Sequence, residues 1–285
     1  MDGIKNEKWT VRIEPSRLEG KLAYAKLTGR YEGIGEELVI LGLNELAVKG
    51  GRGVSCFVEG VLASEQVKKT IEDGVKGACG KFGCAYLGTK WAGQVRDKDQ
   101  TALSASFVGE RENQIKGSAA AGDLVLGVNS NGVHTAGFSV IKKLFAVDDR
   151  VLMEAFDKQF LSTAEEELLK PTKAYAESLL ALFPQVEVKA AAIVDEGGLT
   201  GAVKSVLPEG CGAELIKASY ETPRLFRVMK LRAGLDDEKA YSTFTMGVGL
   251  VFIVAEKDVK NALEAFGDEA VLLGNVVAGS GVRLG

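Results

Sequence analysis

The chain changes repeatedly between two patterns of apolar residues, one with a period of two and one with a period near four. Trp9–Glu14 alternates apolar and polar side chains, which is typical of a half-buried strand. Val67, Ile71 and Val75 recur at every fourth position and predict one buried face of a helix over about residues 65–81. Because strand and helix patterns are mixed along the chain, the predicted class is α/β or α+β.

Glycine and proline mark where several predicted elements begin or end. Gly50-Gly51, Gly234 and Gly267 each follow a helical stretch and predict its end, whereas Thr222-Pro223 predicts an N-cap with proline at the first helical position. The further predicted strands cover 54–62, 103–107, 123–128, 190–194, 246–255 and 271–277. The further predicted helices cover 36–49, a stretch through Ile141 and Leu144, a stretch opened by Pro171-Thr172, 200–207, 223–233 and 258–266.

Size, charge and hydropathy narrow the function classes. With 285 residues, the chain is long enough for one large domain or two smaller ones. The formal net charge is −4, so no domain-wide basic excess is present to neutralise phosphates, and we expect no nucleic-acid partner. No run of about 18 apolar residues predicts a transmembrane helix, and the polar N-terminus predicts no secretory signal. We therefore expect a soluble protein with no membrane partner.

Cysteine and histidine limit the available redox and metal chemistry. The four cysteines, Cys56, Cys79, Cys84 and Cys211, contain no CxxC pair and predict reduced, buried or half-buried thiols in a reducing compartment. His134 is the only histidine, which excludes a multi-histidine metal site. Glycine is abundant instead, with 35 of the 285 residues where about 7% is usual, so glycine-rich phosphate loops are the first chemistry to look for.

Three stretches could bind a ligand. Ser130–Ser139 is a glycine-containing loop between a predicted strand and a predicted helix, where backbone N–H groups could bind an anion; a plain tight connection explains the same residues. Asp195–Thr200 is a second glycine turn, whose two acids could hold a metal or simply face solvent. Glu37, Asn44 and Glu45 lie near one face of a predicted helix, either as Mg²⁺ ligands or as a solvated surface.

Four motifs in the second half of the chain resemble those of one family. SNGVHTAGFSVIKKLF, LLKPTKAYAESLL, GGLTGAVKSVLP and YSTFTMGVGL have the order and spacing of the C-terminal half of aminoimidazole ribonucleotide (AIR) synthase. This family comprises the phosphoribosylformylglycinamidine cyclo-ligases of purine biosynthesis. In the first half, ELVILGLNELAVKGG looks like the family's helix with an Asn-Asp pair. The resemblance covers most of the chain but not the family's usual N-terminal extension.

The resemblance implies a two-domain α/β (α+β) fold and an ATP-dependent reaction. Residues 1–121 would form an N-terminal domain whose sheet pairs across a homodimer into a β-barrel, and residues 122–285 would form a C-terminal α/β domain. In the family, ATP and Mg²⁺ lie in a cleft that involves both domains. The enzyme phosphorylates the amide oxygen of its substrate, and ring closure then releases phosphate.

The resemblance also assigns roles to particular residues. Lys21 and Asn44 would contact the nucleotide, and Glu37 and Glu45 would hold the metal. The loop for the substrate phosphate would comprise Gly132, His134, Thr135 and Gly137, together with Gly197 and Gly198.

Several polar positions of the family's site are replaced in this chain. The family's glycine-rich Gly-Thr-Asp-Gly-Val-Gly-Thr-Lys loop corresponds to Glu14–Lys21, where only the lysine is kept and two glutamates stand where phosphate would lie. Thr245 replaces an asparagine, and Gly88–Gly93 lacks both glutamates of the family's Gly-Gly-Glu-Thr-Ala-Glu loop. Glycines and the Pro171-Thr172 pair remain, so the replacements affect the site more than the scaffold.

Three functions are compatible with this pattern. A catalytically degenerate relative would serve a structural or interaction role, as a homodimer or as a subunit of a larger assembly, and would need no cofactor. An active cyclo-ligase with a divergent site would use ATP and Mg²⁺. A repurposed relative would bind another small molecule or phosphate. We expect the first, because each preorganised donor is worth about 10²–10³ in rate and several are lost.

Overall fold

Residues 7–92, 101–113, 115, 118–144 and 164–285 are described by a computed structural model of the chain, and they fall into two compact units. The first unit lies within Met1–Leu46, Arg52–Arg111 and Phe138–Ala174, and the second within Ala47–Gly51, Glu112–Gly137 and Tyr175–Gly285. The domain boundary predicted at residues 121–122 stays a prediction. Packing assigns the described residues between Phe138 and Ala174 to the first unit.

The first unit is built on a four-stranded sheet. Its strands are β1 (Lys8–Ile13), β2 (Gly51–Val61), β3 (Ala85–Trp91) and β4 (Ala102–Arg111), in the order β1-β4-β2-β3. Strand β1 pairs antiparallel with β4, and β2 pairs parallel with β3. The helices are α1 (Pro15–Thr28), α2 (Ile34–Ala47), α3 (Glu65–Lys81), α4 (Phe138–Leu144) and α5 (Ala164–Leu169).

Glycines let helix α2 approach its neighbours closely. A Cβ atom on Gly42 would lie 2.2 Å from the ring of Phe107 on β4. A Cβ atom on Gly35 would lie 2.3 Å from the carbonyl oxygen of Ile71 on α3. Such distances are far below van der Waals contact, so a larger side chain at either position would push the helix away from the sheet or from α3.

The second unit is built on a six-stranded sheet. Its strands are β5 (Leu124–Asn129), β6 (Val188–Ile193), β7 (Cys211–Leu215), β8 (Val248–Val254), β9 (Ala270–Ala278) and β10 (Val282–Leu284), in the order β10-β7-β9-β5-β8-β6. Strands β7 and β10 are parallel, and the other recorded pairs are antiparallel. The helices are α6 (Ala176–Leu182), α7 (Gly198–Ser205), α8 (Arg224–Ala233), α9 (Asp237–Tyr241) and α10 (Val259–Phe266).

The core of the second unit forms between this sheet and two helices. Every residue of β8 is buried, as its uninterrupted apolar sequence predicts. Leu179 of α6 and Phe266 of α10 belong to the same apolar cluster as Phe252 of β8, and the two phenyl rings have centroids 5.7 Å apart. This packing fixes the end of β5, from which the predicted phosphate loop emerges.

The predicted α/β class is confirmed, and most predicted elements are present. The helix predicted over residues 65–81 is α3, and the strand predicted over Trp9–Glu14 is β1, which lies one residue earlier. Two of the segments that were compared with family motifs, Gly88–Gly93 and SNGVHTAGFSVIKKLF, end at Gly93 and Phe145. These two residues lie outside the described ranges. In the part of the chain that the structure describes, no helix has the length and apolar character needed to cross a membrane.

Two predicted boundaries are wrong, and the sequence also misses a strand near the end of the chain. Pro171-Thr172 does not open a helix: α6 begins at Ala176, and the backbone N–H of Thr172 donates to the Glu37 carboxylate. Pro223 occupies the N-cap of α8 and not its first helical position. Strand β10 follows the strand predicted over 271–277, although no strand was predicted beyond residue 277.

Candidate functional site

Lys21 and Glu37 lie in contact in the interior of the first unit. Helix α1 carries Lys21, helix α2 carries Glu37, and the Lys21 Nζ lies 2.7 Å from Glu37 Oε2. Each side chain is only 1% exposed. The ammonium also donates to the carbonyl oxygen of Lys170 at 2.7 Å. The residue predicted to contact nucleotide and one predicted to hold metal therefore form a buried ion pair.

Thr172 donates two further hydrogen bonds to the Glu37 carboxylate. Its backbone N–H donates to Glu37 Oε2 at 2.6 Å, and its hydroxyl donates to Oε1 at 2.6 Å. Both carboxylate oxygens thus accept hydrogen bonds from protein groups. A metal ion could bind this buried carboxylate only by displacing those donors.

Burial and charge act in opposite directions on the lysine. Desolvation lowers the pKa of Lys21 below its ordinary value, and the nearby Glu37 carboxylate opposes that shift. An ion pair taken out of water is stable only while both partners are present, because removing one leaves an uncompensated buried charge. The ion pair therefore holds α1 against α2. The hydrogen bonds from Thr172 connect this pair to the segment that precedes α6.

Asn44 and Glu45, the other residues predicted for nucleotide and metal, have separate partners. The Asn44 side chain is fully buried and donates to the carbonyl oxygen of Lys173 at 2.9 Å. Glu45 accepts from Arg17 of α1 at 3.1 Å at the partly exposed edge of the unit. Among the described residues, no group of three or more histidine, cysteine, aspartate or glutamate side chains could hold a metal ion.

The segment that corresponds to the family's glycine-rich phosphate loop is helical from its second residue. Helix α1 begins at Pro15, with Glu14 as its N-cap residue, so Glu14–Lys21 contributes the first two turns of a helix. Gly20 faces α4 at very short range: a Cβ atom there would lie 2.3 Å from the Cβ of Phe138. Its missing side chain serves helix packing in this structure, and the segment has no open loop of free N–H groups.

The second unit places His134 in its interior. The residue is 1% exposed and has a left-handed backbone with φ of 55°. Its Nε2 lies 3.1 Å from Oδ1 of Asn131, and its ring meets the edge of Tyr175 at a centroid distance of 6.0 Å. The Tyr175 hydroxyl in turn donates to the carbonyl oxygen of Asn129 at 2.9 Å. The imidazole is part of the core at the end of β5.

Two of the predicted loop glycines pack against one segment. Gly137 (φ 76°) and Gly198 (φ 61°) both face Tyr241–Phe244: a Cβ atom on Gly137 would lie 2.5 Å from the Phe244 ring, and one on Gly198 would lie 2.5 Å from the carbonyl oxygen of Tyr241. Both positions require glycine for conformation and for space.

Gly132, Thr135 and Gly197 complete the predicted phosphate loop. The carbonyl oxygen of Gly132 accepts from the hydroxyl of Thr245 at 3.2 Å. Gly197 (φ 93°) is the N-cap residue of α7. The Thr135 hydroxyl is buried and has no hydrogen-bond partner within the described ranges. The six predicted residues thus lie in one unit, and the roles assigned to them stay a prediction.

Sequence reasoning did not find the groups that organise these residues. Thr172 is 135 positions from Glu37, and Thr245 is 113 positions from Gly132. The Pro171-Thr172 pair was a visible signal, since a preserved threonine after a proline can serve as a hydrogen-bond donor rather than a helix start. For Thr245, the sequence indicated only that it replaces an asparagine of the family, and not that it donates a hydrogen bond.

Comparisons with known proteins agree with this fold. The family model described as "AIR synthase related protein, C-terminal domain" matches residues 120–285. A phosphoribosylformylglycinamidine cyclo-ligase of Alkaliphilus metalliredigens is 30% identical over 272 residues, which cover 91% of this chain and 78% of that protein.

Solved structures of another protein have the same fold. The hydrogenase maturation protein HypE of E. coli superposes with a TM-score of 0.68 at 19% identity, covering 99% of this chain and 83% of that one. A HypE structure in complex with ATP gives a TM-score of 0.69 at 14% identity, covering 97% of this chain and 78% of that one.

Proposed function

The chain belongs to the AIR synthase family, and we propose that it is a catalytically degenerate member, which serves a structural or interaction role and does not close the imidazole ring. The observation that carries the proposal is the buried Lys21–Glu37 pair, completed by Thr172. Residues that the family resemblance assigns to nucleotide and metal are used in this chain to hold helices together.

The energetics of the pair support this proposal. For Lys21 to bind a phosphate, its ammonium would have to leave Glu37, and the carboxylate would remain buried without its counter-charge. Breaking a buried ion pair in this way costs about 3–5 kcal/mol. Such a penalty alone would weaken nucleotide binding by about two to four orders of magnitude, since about 1.4 kcal/mol corresponds to a factor of ten.

The environment of α1 adds to this penalty. Glu14 and Glu19 bring negative charge to the segment that faces phosphate in the family, and like charges near a triphosphate repel it. The helical conformation of Pro15–Thr28 also commits its interior N–H groups to intrahelical bonds. Neither feature suits a loop that must wrap around phosphate.

A homodimer, or a place in a larger assembly, is the second part of the proposal. One structural neighbour was solved as a HypE–HypF complex, so this fold is able to engage a partner protein in that case. In this chain, β3 is an edge strand of its sheet and carries Leu87, which is 62% exposed. Sedimentation equilibrium measures the oligomeric state: a dimer is expected, and Leu87→Asp should shift the distribution toward monomer.

Titration of the folded protein with Mg-ATP tests the proposal. A ligand present at 100 times its Kd stabilises a protein by about 2.7 kcal/mol, which a thermal unfolding experiment detects readily. We expect no shift in Tm at millimolar Mg-ATP and no ADP release in the presence of phosphoribosylformylglycinamidine. The cyclo-ligase of Alkaliphilus metalliredigens serves as the positive control for both assays.

An active cyclo-ligase with a divergent site, using ATP and Mg²⁺, is the alternative function. It is favoured by the curated relatives that carry that name at about 30% identity. Turnover of the amidine substrate with release of one ADP per ring closed would establish it and overturn the degenerate assignment. A saturable Tm shift without turnover would point to a repurposed nucleotide-binding relative instead.

A further inference from the structure

Three of the four cysteines meet in the interior of the first unit. Cys56 lies on β2, Cys79 lies near the end of α3, and Cys84 lies just before β3. Their exposed fractions are 1%, 2% and 5%. The sulfur atoms of Cys56 and Cys79 are 3.5 Å apart, which is van der Waals contact, and all the cysteines are free thiols as predicted. We call Cys56, Cys79 and Cys84 the thiol cluster.

Cys84 is bound into the thiol cluster by its backbone and by its side chain. Its N–H donates to the carbonyl oxygen of Cys79 at 2.9 Å. Hydrogen bonds from the thiols of Cys56 and Cys79 lower the pKa of Cys84 below its ordinary value, whereas hydrogen bonding within the same cluster raises the pKa of Cys56. A lowered pKa favours the thiolate form of Cys84, and a thiolate is the nucleophilic form of cysteine.

Cys84 is also the member of the thiol cluster nearest to a route from solvent. It lies between Gly83 and Ala85, which are both exposed, and Gly83 has a positive φ of 68° in the turn after α3. A turn of this kind opens at lower free energy than the strands and helices it connects. A small reagent can reach Cys84 through such an opening, whereas Cys56 and Cys79 lie within β2 and α3.

We propose that the thiol cluster is a thiol–disulfide exchange site that reacts with a low-molecular-weight disulfide and closes to an intramolecular disulfide. This activity goes beyond the proposed function and does not depend on it. Its basis is the contact of the Cys56 and Cys79 sulfurs, which come from two elements of one unit, together with the backbone hydrogen bond that holds Cys84 beside Cys79. A pair of sulfurs at 3.5 Å needs a shift of only about 1.5 Å to reach the S–S bond length of about 2.05 Å.

The exchange proceeds in two balanced steps. The Cys84 thiolate attacks one sulfur of the small disulfide, whose S–S bond breaks; one small thiolate leaves and takes up a proton, and a mixed disulfide remains on Cys84. The Cys79 sulfur then loses its proton and attacks the Cys84 sulfur, which releases the second small thiol. One small disulfide is reduced to two thiols, and two protein thiols are oxidised to one disulfide. A further exchange by Cys56 can move the bond to the Cys56–Cys79 pair.

Thiol counting on the folded full-length chain tests the proposal. The protein is incubated with oxidised glutathione, quenched in acid, denatured, and titrated for free thiols. We expect the count to fall from four to two, with a mass loss of two hydrogens and no bound glutathione, and dithiothreitol should restore all four. Peptide mapping should place the bond within the thiol cluster, and oxidation should raise Tm because it links elements of one unit.

Cys211→Ser is the matched control, because Cys211 lies on β7 of the second unit and outside the thiol cluster. This variant should still lose two thiols at the same rate, whereas Cys84→Ser should lose them more slowly. Retention of all four thiols by the folded wild type would overturn the proposal. So would a mapped disulfide or a stable glutathione adduct that involves Cys211.

Discussion

Gly249 lies against the imidazole ring of His134. A Cβ atom on Gly249 would be 2.2 Å from Cε1 of His134 and 2.1 Å from the hydroxyl oxygen of Tyr175. The missing side chain at the second position of β8 therefore makes room for the only histidine and for a tyrosine whose pKa is raised well above its ordinary value by burial. This explains why a loop that resembles a phosphate site has its histidine inside the core.

Gly249→Ala should destabilise the second unit. Both neighbours are buried rings, and overpacking of this kind typically costs about 1–3 kcal/mol. Urea unfolding followed by circular dichroism measures the difference in the free energy of unfolding.

Gly77→Ala is the matched control for that substitution. Gly77 lies on the exposed face of α3, where an added Cβ atom meets nothing within 4 Å. Alanine there should stabilise the chain by about 0.5–1 kcal/mol through its higher helix propensity. If the two substitutions changed the free energy of unfolding equally, His134 and Tyr175 would have to leave space for a Cβ atom on Gly249.

Removal of one charge from the Lys21–Glu37 pair should destabilise the first unit more than removal of both. Lys21→Met leaves a buried carboxylate, and Glu37→Gln leaves a buried ammonium; each should cost about 3–5 kcal/mol. The double variant retains an amide oxygen that can accept from Thr172 and should be more stable than either single variant.

A double-mutant cycle of unfolding free energies measures this coupling. If the single variants do not fold, the double variant tests the prediction by itself, because it should still fold and should unfold cooperatively on heating. Additive effects of the two substitutions would mean that the two charges do not stabilise each other.

The sequence predicted the scaffold better than the site. The α3 boundaries followed from the spacing of its apolar residues, because that signal is local. Helix α1 was missed over Glu14–Lys21, because that stretch was compared with a glycine-rich loop although its own residues, with proline at the first position, form a helix. The comparison with the family's glycine-rich loop thus led us to overlook the helix signal in the residues themselves.

The partners of the site residues could not be predicted in the same way. Lys21 and Glu37 are 16 positions apart on different helices, and their contact depends on how α1 packs against α2. The donor from Thr172 arrives from a segment 135 positions away. No periodicity encodes such contacts, because they are decided by tertiary packing and not by the spacing of residues along an element.

Asp237 should contribute stability that is lost in acid. It accepts from Lys217 at 2.7 Å and pairs with Lys230, and these two lysines lower the pKa of Asp237 below its ordinary 3.8. Because the folded pKa lies below the unfolded one, the stabilisation is present above about pH 4 and disappears as the pH falls through the lowered pKa. Asp237→Asn should therefore lower Tm at pH 7 and have a smaller effect near pH 2.

Asp236→Asn provides the comparison for this pH dependence. Asp236 is the N-cap of α9 and accepts from the N–H of Lys239 at 2.8 Å, a role that asparagine performs equally well. Its replacement should change Tm little at pH 7. A loss of Tm in Asp237→Asn that is the same at both pH values would contradict the assignment of the effect to the ionised carboxylate.

Thr245→Val should loosen the loop after β5 while leaving the shape of the core unchanged. The Thr245 hydroxyl is fully buried, donates to the carbonyl oxygen of Gly132 and lies 3.3 Å from the hydroxyl of Ser130. Valine has nearly the same volume but no hydroxyl, so the Gly132 carbonyl loses its donor at a cost of about 1–3 kcal/mol. Thr10→Val on the exposed face of β1 should change stability by less than about 0.5 kcal/mol. Hydrogen exchange should show faster exchange in the Gly132–Gly137 loop of Thr245→Val alone, and an unchanged rate there would show that the loop is held without this hydroxyl.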